Sequence, residues 1–335
     1  MNHSKDNPQS IQDQLKNSLD RLFLSFQDCR EGEIATYIPE LAKADPNLFG
    51  AAIAHVDGSV TEHGDSQKEF TIQSISKPFV FGLALEENGR EEVLKRIGVE
   101  PSGDAFNSTH LLRSERPFNA MLNAGAIAVT SMVPGKTGDE KFERILDLMS
   151  KAAGRQLEVD ERVYKSELAT GDRNRAIAYL LRGVNVVEQD IEDLLQTYFR
   201  QCAIRVTCRD LAIMGATLGN IGINPITGKD VLDLSAVRDV LTVMFTCGMY
   251  DFAGEWALKV GVPAKSGVSG GIMAVVNRQL GMGIYSPRLD PMGNSIRGVN
   301  LCSKFAEEQG LHLFNFSNVG STFLEAISKP NTSSD

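Results

Sequence analysis

Ser74 and Lys77 stand three residues apart in Gln73-Ser74-Ile75-Ser76-Lys77-Pro78. That spacing puts two side chains on one face of a helix, where a hydroxyl and an amine can meet. A serine hydroxyl becomes a useful nucleophile once a base takes its proton. A lysine can be that base when burial or neighbouring cations bring its pKa down from about 10.4 towards neutrality. Pro78 suits the first turn of a helix, which sets Ser74 near the N-terminal N–H groups. By itself the pair is a weak signal, because both residue types are common and the spacing recurs by chance.

The other reactive side chains point to little else. His3, His55, His63, His110 and His312 are scattered and lack metal-ligand spacing. Cys29, Cys202, Cys208, Cys247 and Cys302 are odd in number and contain no C-x-x-C pair, against a disulfide framework or a zinc site. Free thiols of this kind fit a reducing cytosol. Gly267–Gly271 has no Walker or Rossmann spacing around it, so it reads as backbone that lets a substrate approach. No metal and no organic cofactor is expected.

A net charge of −9 disfavours nucleic acid and anionic lipid as partners. The N-terminus is polar, without the apolar core of a signal peptide, and no apolar run approaches the ~20 residues of a membrane span. With 335 residues, 42% hydrophobic and 23% charged, the chain can bury a large core without staples. These features describe a globular protein of the cytoplasm.

The elements that must position Ser74 follow from hydrophobic periodicity. Residues 11–29 read as an amphipathic helix. Strands are expected at 48–55 and 59–63, joined by the hairpin signal Asp57-Gly58, with a short strand at 70–72. Helical spacing then recurs at 79–87, 91–97, 124–132, 139–153, 174–182, 189–201, 209–219 and 234–247. Strands return at 264–267, 271–276 and 281–286, and residues 291–309 read as a closing helix. One antiparallel sheet must therefore be assembled from both chain ends. The expected organisation is an α/β (α+β) lobe from 11–73 and 241–327, a mainly α-helical lobe at 74–240, and loose tails at 1–10 and 328–335.

Lys265-Ser266-Gly267 beside an apolar strand resembles the K-T-G element of serine β-lactamases and penicillin-binding proteins. The order of strands, helical block and strands also fits that fold. Those enzymes usually carry S-x-N or Y-x-N in the helical lobe, and Ser-Asp-Asn does not occur here.

Seven further segments, in order, bear a more specific likeness. They are Tyr37-Ile38-Pro39-Glu40-Leu41, Gln73-Ser74-Ile75-Ser76-Lys77, Pro117-Phe118-Asn119, Asn123-Ala124-Gly125-Ala126-Ile127, Ser166-Glu167, Gly171-Asp172-Arg173-Asn174 and Lys265-Ser266-Gly267-Val268-Ser269-Gly270-Gly271. Across residues 12–325 the chain resembles the serine-dependent glutaminases, in the bacterial short form related to kidney- and liver-type enzymes. The resemblance implies a β-lactamase-like fold, hydrolysis of L-glutamine to L-glutamate and ammonia, and a homodimer or homotetramer. It implies Ser74 as nucleophile, Lys77 as its base, and the Ser74 and Val268 N–H groups as an oxyanion hole. Tyr37, Asn123, Glu167, Asn174, Tyr198 and Tyr250 resemble the substrate-pocket residues, with Tyr250 also a proton relay.

The residue types suit that chemistry. An acyl-enzyme lets ammonia leave before water enters. Fixed N–H donors stabilise the tetrahedral oxyanion. Glu167 suits a substrate ammonium, while Asn123, Asn174 and a tyrosine hydroxyl suit its carboxylate. Asn123 could also act simply as a helix N-cap. Two rivals stand beside this reading: another S-x-x-K hydrolase of β-lactamase type, and an amino-acid-binding protein without catalysis.

Overall fold

The computed structural model describes residues 8–103, 107–112 and 115–315, with side chains from residue 13 onward. Its centre is a five-stranded antiparallel sheet built from both ends of the chain. The strands are β1 (Gly50–His55), β2 (Val60–Gly64), β5 (Ala264–Ser266), β6 (Gly271–Val276) and β7 (Leu280–Tyr285), in the order β2-β1-β7-β6-β5. N-terminal β1 pairs with C-terminal β7 in the middle of the sheet, with Ile53 opposite Met282. The hairpin between β1 and β2 turns at Gly58, whose φ of +89° is a conformation glycine adopts freely. Two short strands, β3 (Phe70–Thr71) and β4 (Arg205–Val206), pair separately.

Helices α1 (Pro8–Phe26) and α12 (Ile296–Gln309) cover one face of the sheet, where Leu19, Leu22 and Phe23 meet Ile53, Ile284, Leu301 and Phe305. On the other face lies α9 (Cys208–Gly219), which packs against β1, β6 and β7 although it comes from the middle of the chain. Its close approach depends on glycine in β7. A Cβ on Gly281 would come 2.1 Å from the Ala216 nitrogen, and one on Gly283 2.1 Å from the Cys208 carbonyl oxygen.

Further helices form a block of α2 (Lys77–Asn88), α3 (Arg90–Arg96), α4 (Asn123–Met132), α5 (Gly138–Ala153), α6 (Glu161–Thr170), α7 (Asp172–Gly183), α8 (Ile191–Cys202) and α10 (Leu234–Cys247), in which α5 packs on α9 and α3, α4, α5 and α10 pack on α2. Local chemistry sets their ends. Thr137, Asp160, Asp190, Thr207 and Asp233 accept first-turn N–H groups. Helix α2 is buried continuously from Lys77 to Leu85, so it is the axis of the helical block rather than an amphipathic surface helix.

Several expected boundaries move. Helix α1 already includes residues 8–10 and stops at Phe26, short of residue 29. The closing helix begins at Ile296 rather than 291, because Asp290 Oδ1 accepts the N–H groups of Met292 and Asn294 in a turn and Ser295 then caps the helix. Helices α6 and α11 (Ala253–Lys259) were not legible as periodic segments. In α6 only Val163 and Glu167 are buried, too few apolar residues to make a stripe. Residues 1–7 and 328–335 of the expected tails lie outside the described residues. Among the described residues, no helix is long and apolar enough to cross a membrane.

Candidate active site

Ser74 sits in a 3-10 helix, Gln73–Ser76, that runs directly into α2 at Lys77. Gln73 adopts φ +48°, a left-handed backbone that few non-glycine residues take up. The Tyr250 phenol lies beside the Ser74 hydroxyl, near enough for the serine to favour its ionised form. Tyr250 itself has φ +57° and donates to the Ser266 carbonyl at 3.1 Å. Two left-handed residues on separate elements thus meet at one hydroxyl, and backbone strain of this kind concentrates at functional sites. Burial pushes the Tyr250 phenol up to about 12.

Lys77 is buried, and its amine donates to Asn123 Oδ1 at 2.7 Å and to the Met121 carbonyl at 3.3 Å. Burial lowers its pKa to about 8, opposed by the nearby thiol of Cys202 and the carboxyl of Glu167. Ser74 lies in the 3-10 helix and Lys77, three residues on, opens α2. Among the described residues, however, no hydrogen bond joins the two, and the amine bonds Asn123 Oδ1 and the Met121 carbonyl instead. The reason is local: Asn123 is the first residue of α4 and caps nothing, which leaves its side chain free to face Lys77. Its Nδ2 donates to Asn174 Oδ1 at 2.9 Å, and its Oδ1 also receives Tyr198 Oη at 3.3 Å. The N-cap reading of Asn123 is therefore replaced by a hub joining Lys77, Asn174 and Tyr198.

Glu167 projects from α6 and is buried, with Oε2 lacking any hydrogen-bond partner. Burial raises its pKa to about 8, while Lys77 and a hydrogen bond from Gln73 act the other way. A buried, unpartnered carboxyl oxygen is costly and calls for an explanation, which a cationic ligand would supply. Tyr37 is 52% exposed overall, but its hydroxyl lies close enough to Glu167, Tyr250 and Cys202 to be held well above its usual pKa, chiefly by burial. Tyr37, Asn123, Glu167 and Asn174 line one pocket of about 60 Å³, with Asn107 and Arg173 at its rim. A wider depression of about 430 Å³ lies at Lys68, Asp160, Arg162 and Arg205. Its charges pair with one another, Arg162 with Asp160 and Arg205 with Glu69, and it contains none of the expected residues.

Val268 lies in the loop joining β5 to β6, closed by Gly267 N–H to the Gly271 carbonyl and Gly270 N–H to the Gly267 carbonyl, each 2.9 Å. Gly270 has φ +104°, and a Cβ there would lie 2.3 Å from the Ser286 carbonyl oxygen. The loop packs on the serine's turn: a Cβ on Gly267 would meet the Ile72 carbonyl oxygen at 3.0 Å and Gln73 Cβ at 3.4 Å. Among the described residues, neither the Ser74 nor the Val268 backbone N–H donates to another protein group.

Of the residues singled out from sequence, Tyr37, Asn123, Glu167 and Asn174 line this pocket, and Lys77 and Tyr198 join it through Asn123. Two neighbours escaped notice. Lys265 was quoted only as part of a motif, yet its buried amine donates to the Gly248 and Ser266 carbonyls at 2.7 and 2.8 Å and lies 4.0 Å over the Tyr250 ring. Cys202, counted above only among the free thiols, touches the Tyr198 hydroxyl one turn away and is held far above its usual pKa by burial. The spacing of Cys202 four residues after Tyr198 on a helix was the available signal.

The glutaminase family profile matches residues 32–314. A glutaminase of Trichormus variabilis is 52% identical over 294 residues, covering 88% of this chain and 88% of the relative. One from Microcystis aeruginosa is 53% identical over 301 residues, covering 90% and 89%. Among solved structures, the probable glutaminase ybaS superposes with a TM-score of 0.87 at 37% identity, covering 90% of this chain and 98% of that one. The Bacillus subtilis glutaminase YbgJ, solved as a covalent complex with 5-oxo-L-norleucine formed by reaction with 6-diazo-5-oxo-L-norleucine, gives 0.80 at 37% identity, covering 90% and 99%.

Proposed function

The chain belongs to the glutaminase family, and from that premise we propose how its β-lactamase-like fold carries out the hydrolysis of L-glutamine to L-glutamate and ammonia. Ser74 Oγ attacks the side-chain amide carbon, and its proton passes to Lys77. The buried Lys77 amine, with a pKa near 8, is neutral often enough near physiological pH to act as a base. The Ser74 and Val268 N–H groups receive the oxyanion. Tyr250, whose phenol lies beside the Ser74 hydroxyl, gives its proton to the leaving nitrogen and takes one back from the Lys77 ammonium, so the C–N bond breaks and ammonia departs. Water then adds to the glutamyl ester, the Cδ–Oγ bond breaks, and glutamate leaves with Ser74 restored.

The ammonium end is held by a carboxyl group and the carboxylate end by neutral hydrogen-bonding groups. Glu167 Oε2 takes the ammonium. Asn123, Asn174 and the Tyr37 and Tyr198 hydroxyls take the carboxylate. The observation that carries the reading is the buried Lys77 amine on Asn123 Oδ1 at 2.7 Å, with Asn123 lining the same pocket as Glu167, whose Oε2 has no protein partner among the described residues. Covalent capture of a diazoketone by the Bacillus subtilis relative supports a nucleophilic route.

The test is direct. Purified protein with L-glutamine should release equimolar glutamate and ammonia, L-asparagine should serve as control, and folded Ser74→Ala should release neither product. Turnover by that variant near the parent rate sinks the assignment of Ser74. The five free thiols suit a reducing compartment, which supports a cytoplasmic enzyme. The homodimer or homotetramer rests on the family resemblance and is read out by light scattering.

A further inference from the structure

Helix α8 turns a second side chain towards the nucleophile, one turn after Tyr198. Gln201 is fully buried, as are Ser76 and Thr130. Its Nε2 donates to Ser76 Oγ at 3.0 Å, and Ser76 Oγ donates to the Gln73 carbonyl at 2.8 Å. At the other end of the amide, Gln201 Oε1 lies 3.2 Å from Thr130 Oγ1 on α4, whose hydroxyl also reaches the Ala126 carbonyl at 2.8 Å. A buried chain of polar groups therefore runs from α4 through α8 to the carbonyl of the residue before Ser74.

Its direction follows from hydroxyl chemistry. A serine hydroxyl has one hydrogen to give. With an amide N–H donated into the oxygen, that hydrogen must go to an acceptor, here the Gln73 carbonyl. The Gln73 carbonyl and the Ser74 N–H belong to one planar trans peptide and point in opposite directions. Fixing one therefore aims the other. The plane needs fixing, because Gln73 at φ +48° sits in a conformation that relaxes readily unless its surroundings hold it.

We propose that Gln201 is a positioning residue for the oxyanion hole: through Ser76 it pins the Gln73–Ser74 peptide plane and so aims the Ser74 N–H at the developing oxyanion. The inference rests on the assignment of Ser74 as nucleophile. It touches no substrate group, so its effect belongs to the transition state, where the oxyanion exists, and not to ground-state binding.

The test compares Gln201→Met, Ser76→Ala and the double variant with the parent, alongside Ser74→Ala. Gln201→Met keeps length and volume, and Ser76→Ala removes a single oxygen, so the second carries the test if the first does not fold. On protein shown folded by circular dichroism, kcat should fall 10- to 100-fold in each single variant while KM for L-glutamine stays within about threefold, a split that bulk destabilisation does not produce. The double variant should lose no more than the worse single one, since both cut the same chain. Folded variants with kcat within twofold of the parent, losses confined to KM, or losses that multiply in the double variant would overturn the proposal. A dead Ser74→Ala beside a fully active Gln201→Met refutes this inference alone; an active Ser74→Ala refutes the reading beneath it.

Discussion

Lys77 Nζ donates to Asn123 Oδ1 at 2.7 Å, so the amine assigned as base is held by a neutral amide and not by a carboxylate. A carboxylate at that distance would keep the ammonium charged; an amide oxygen orients it while leaving burial free to lower its pKa to about 8. If Lys77 is the base, the choice of partner sets the pH at which it can act.

The first prediction concerns that pH. A base must be unprotonated to act, so kcat should rise as pH increases through about 8 and level off above it. Lys77→Arg, which keeps charge but does not lose its proton near neutrality, should cost at least 10³-fold in kcat. A flat profile from pH 6 to 9.5 would place the base elsewhere.

Asn123→Asp should move the same limb. A carboxylate against Lys77 favours the ammonium, so the midpoint should shift upward by a unit or more, with a rate near pH 7 at least tenfold lower and partial recovery at high pH. Rate measurements across pH decide it; an unshifted midpoint separates Asn123 from control of Lys77.

Glu167 gives opposite predictions for binding and stability. Glu167→Gln removes the charge assigned to the substrate ammonium, so KM should rise at least tenfold. The carboxyl has a folded pKa of about 8, above its ordinary 4.5, so the folded state binds the extra proton between those values. Stability conferred by the protonated form is complete below about pH 4.5 and lost as pH rises through about 8. The variant lacks that loss, so its Tm relative to the parent should climb by several degrees between pH 5 and 8. A Tm difference that does not change with pH contradicts this.

Arg297 is a structural prediction away from the chemistry. It is buried and donates to Ser286 Oγ and to the carbonyls of Gln27, Pro46, Asn47 and Leu48, fastening α12 to the chain before β1. Arg297→Met should leave those acceptors unpaired and cost roughly 2–4 kcal/mol of unfolding free energy in urea titration. A change below about 0.5 kcal/mol would mean water takes over its role.

Much of the fold was legible because periodicity and turn chemistry are local. The hairpin at Asp57-Gly58, helix α9 behind Thr207, and the paired strands after residue 264 all announce themselves over a few residues. Helix α6 did not, because its burial rests on Val163 and Glu167, and a buried carboxylate reads as solvent-facing in any hydrophobic pattern. The beginning of α12 was misjudged for a related reason: Asp290 binds its own backbone in a turn, which competes with helix without altering the apolar spacing.

What the sequence determined by itself was the inventory and its order: a serine and a lysine three apart, a glycine-rich loop far downstream, and the motif series that identifies the family. Tertiary structure decided which atoms meet. Spacing could bring Ser74 and Lys77 to one face, but only the fold sets the Tyr250 phenol beside the Ser74 hydroxyl and bonds the amine to Asn123. It also shows Gln201 reaching the turn of Ser74 through Ser76. Hydrogen bonds are made over about 3 Å, and the chain segments that supply their two ends are brought to that distance by packing of the whole core, which no window of sequence contains.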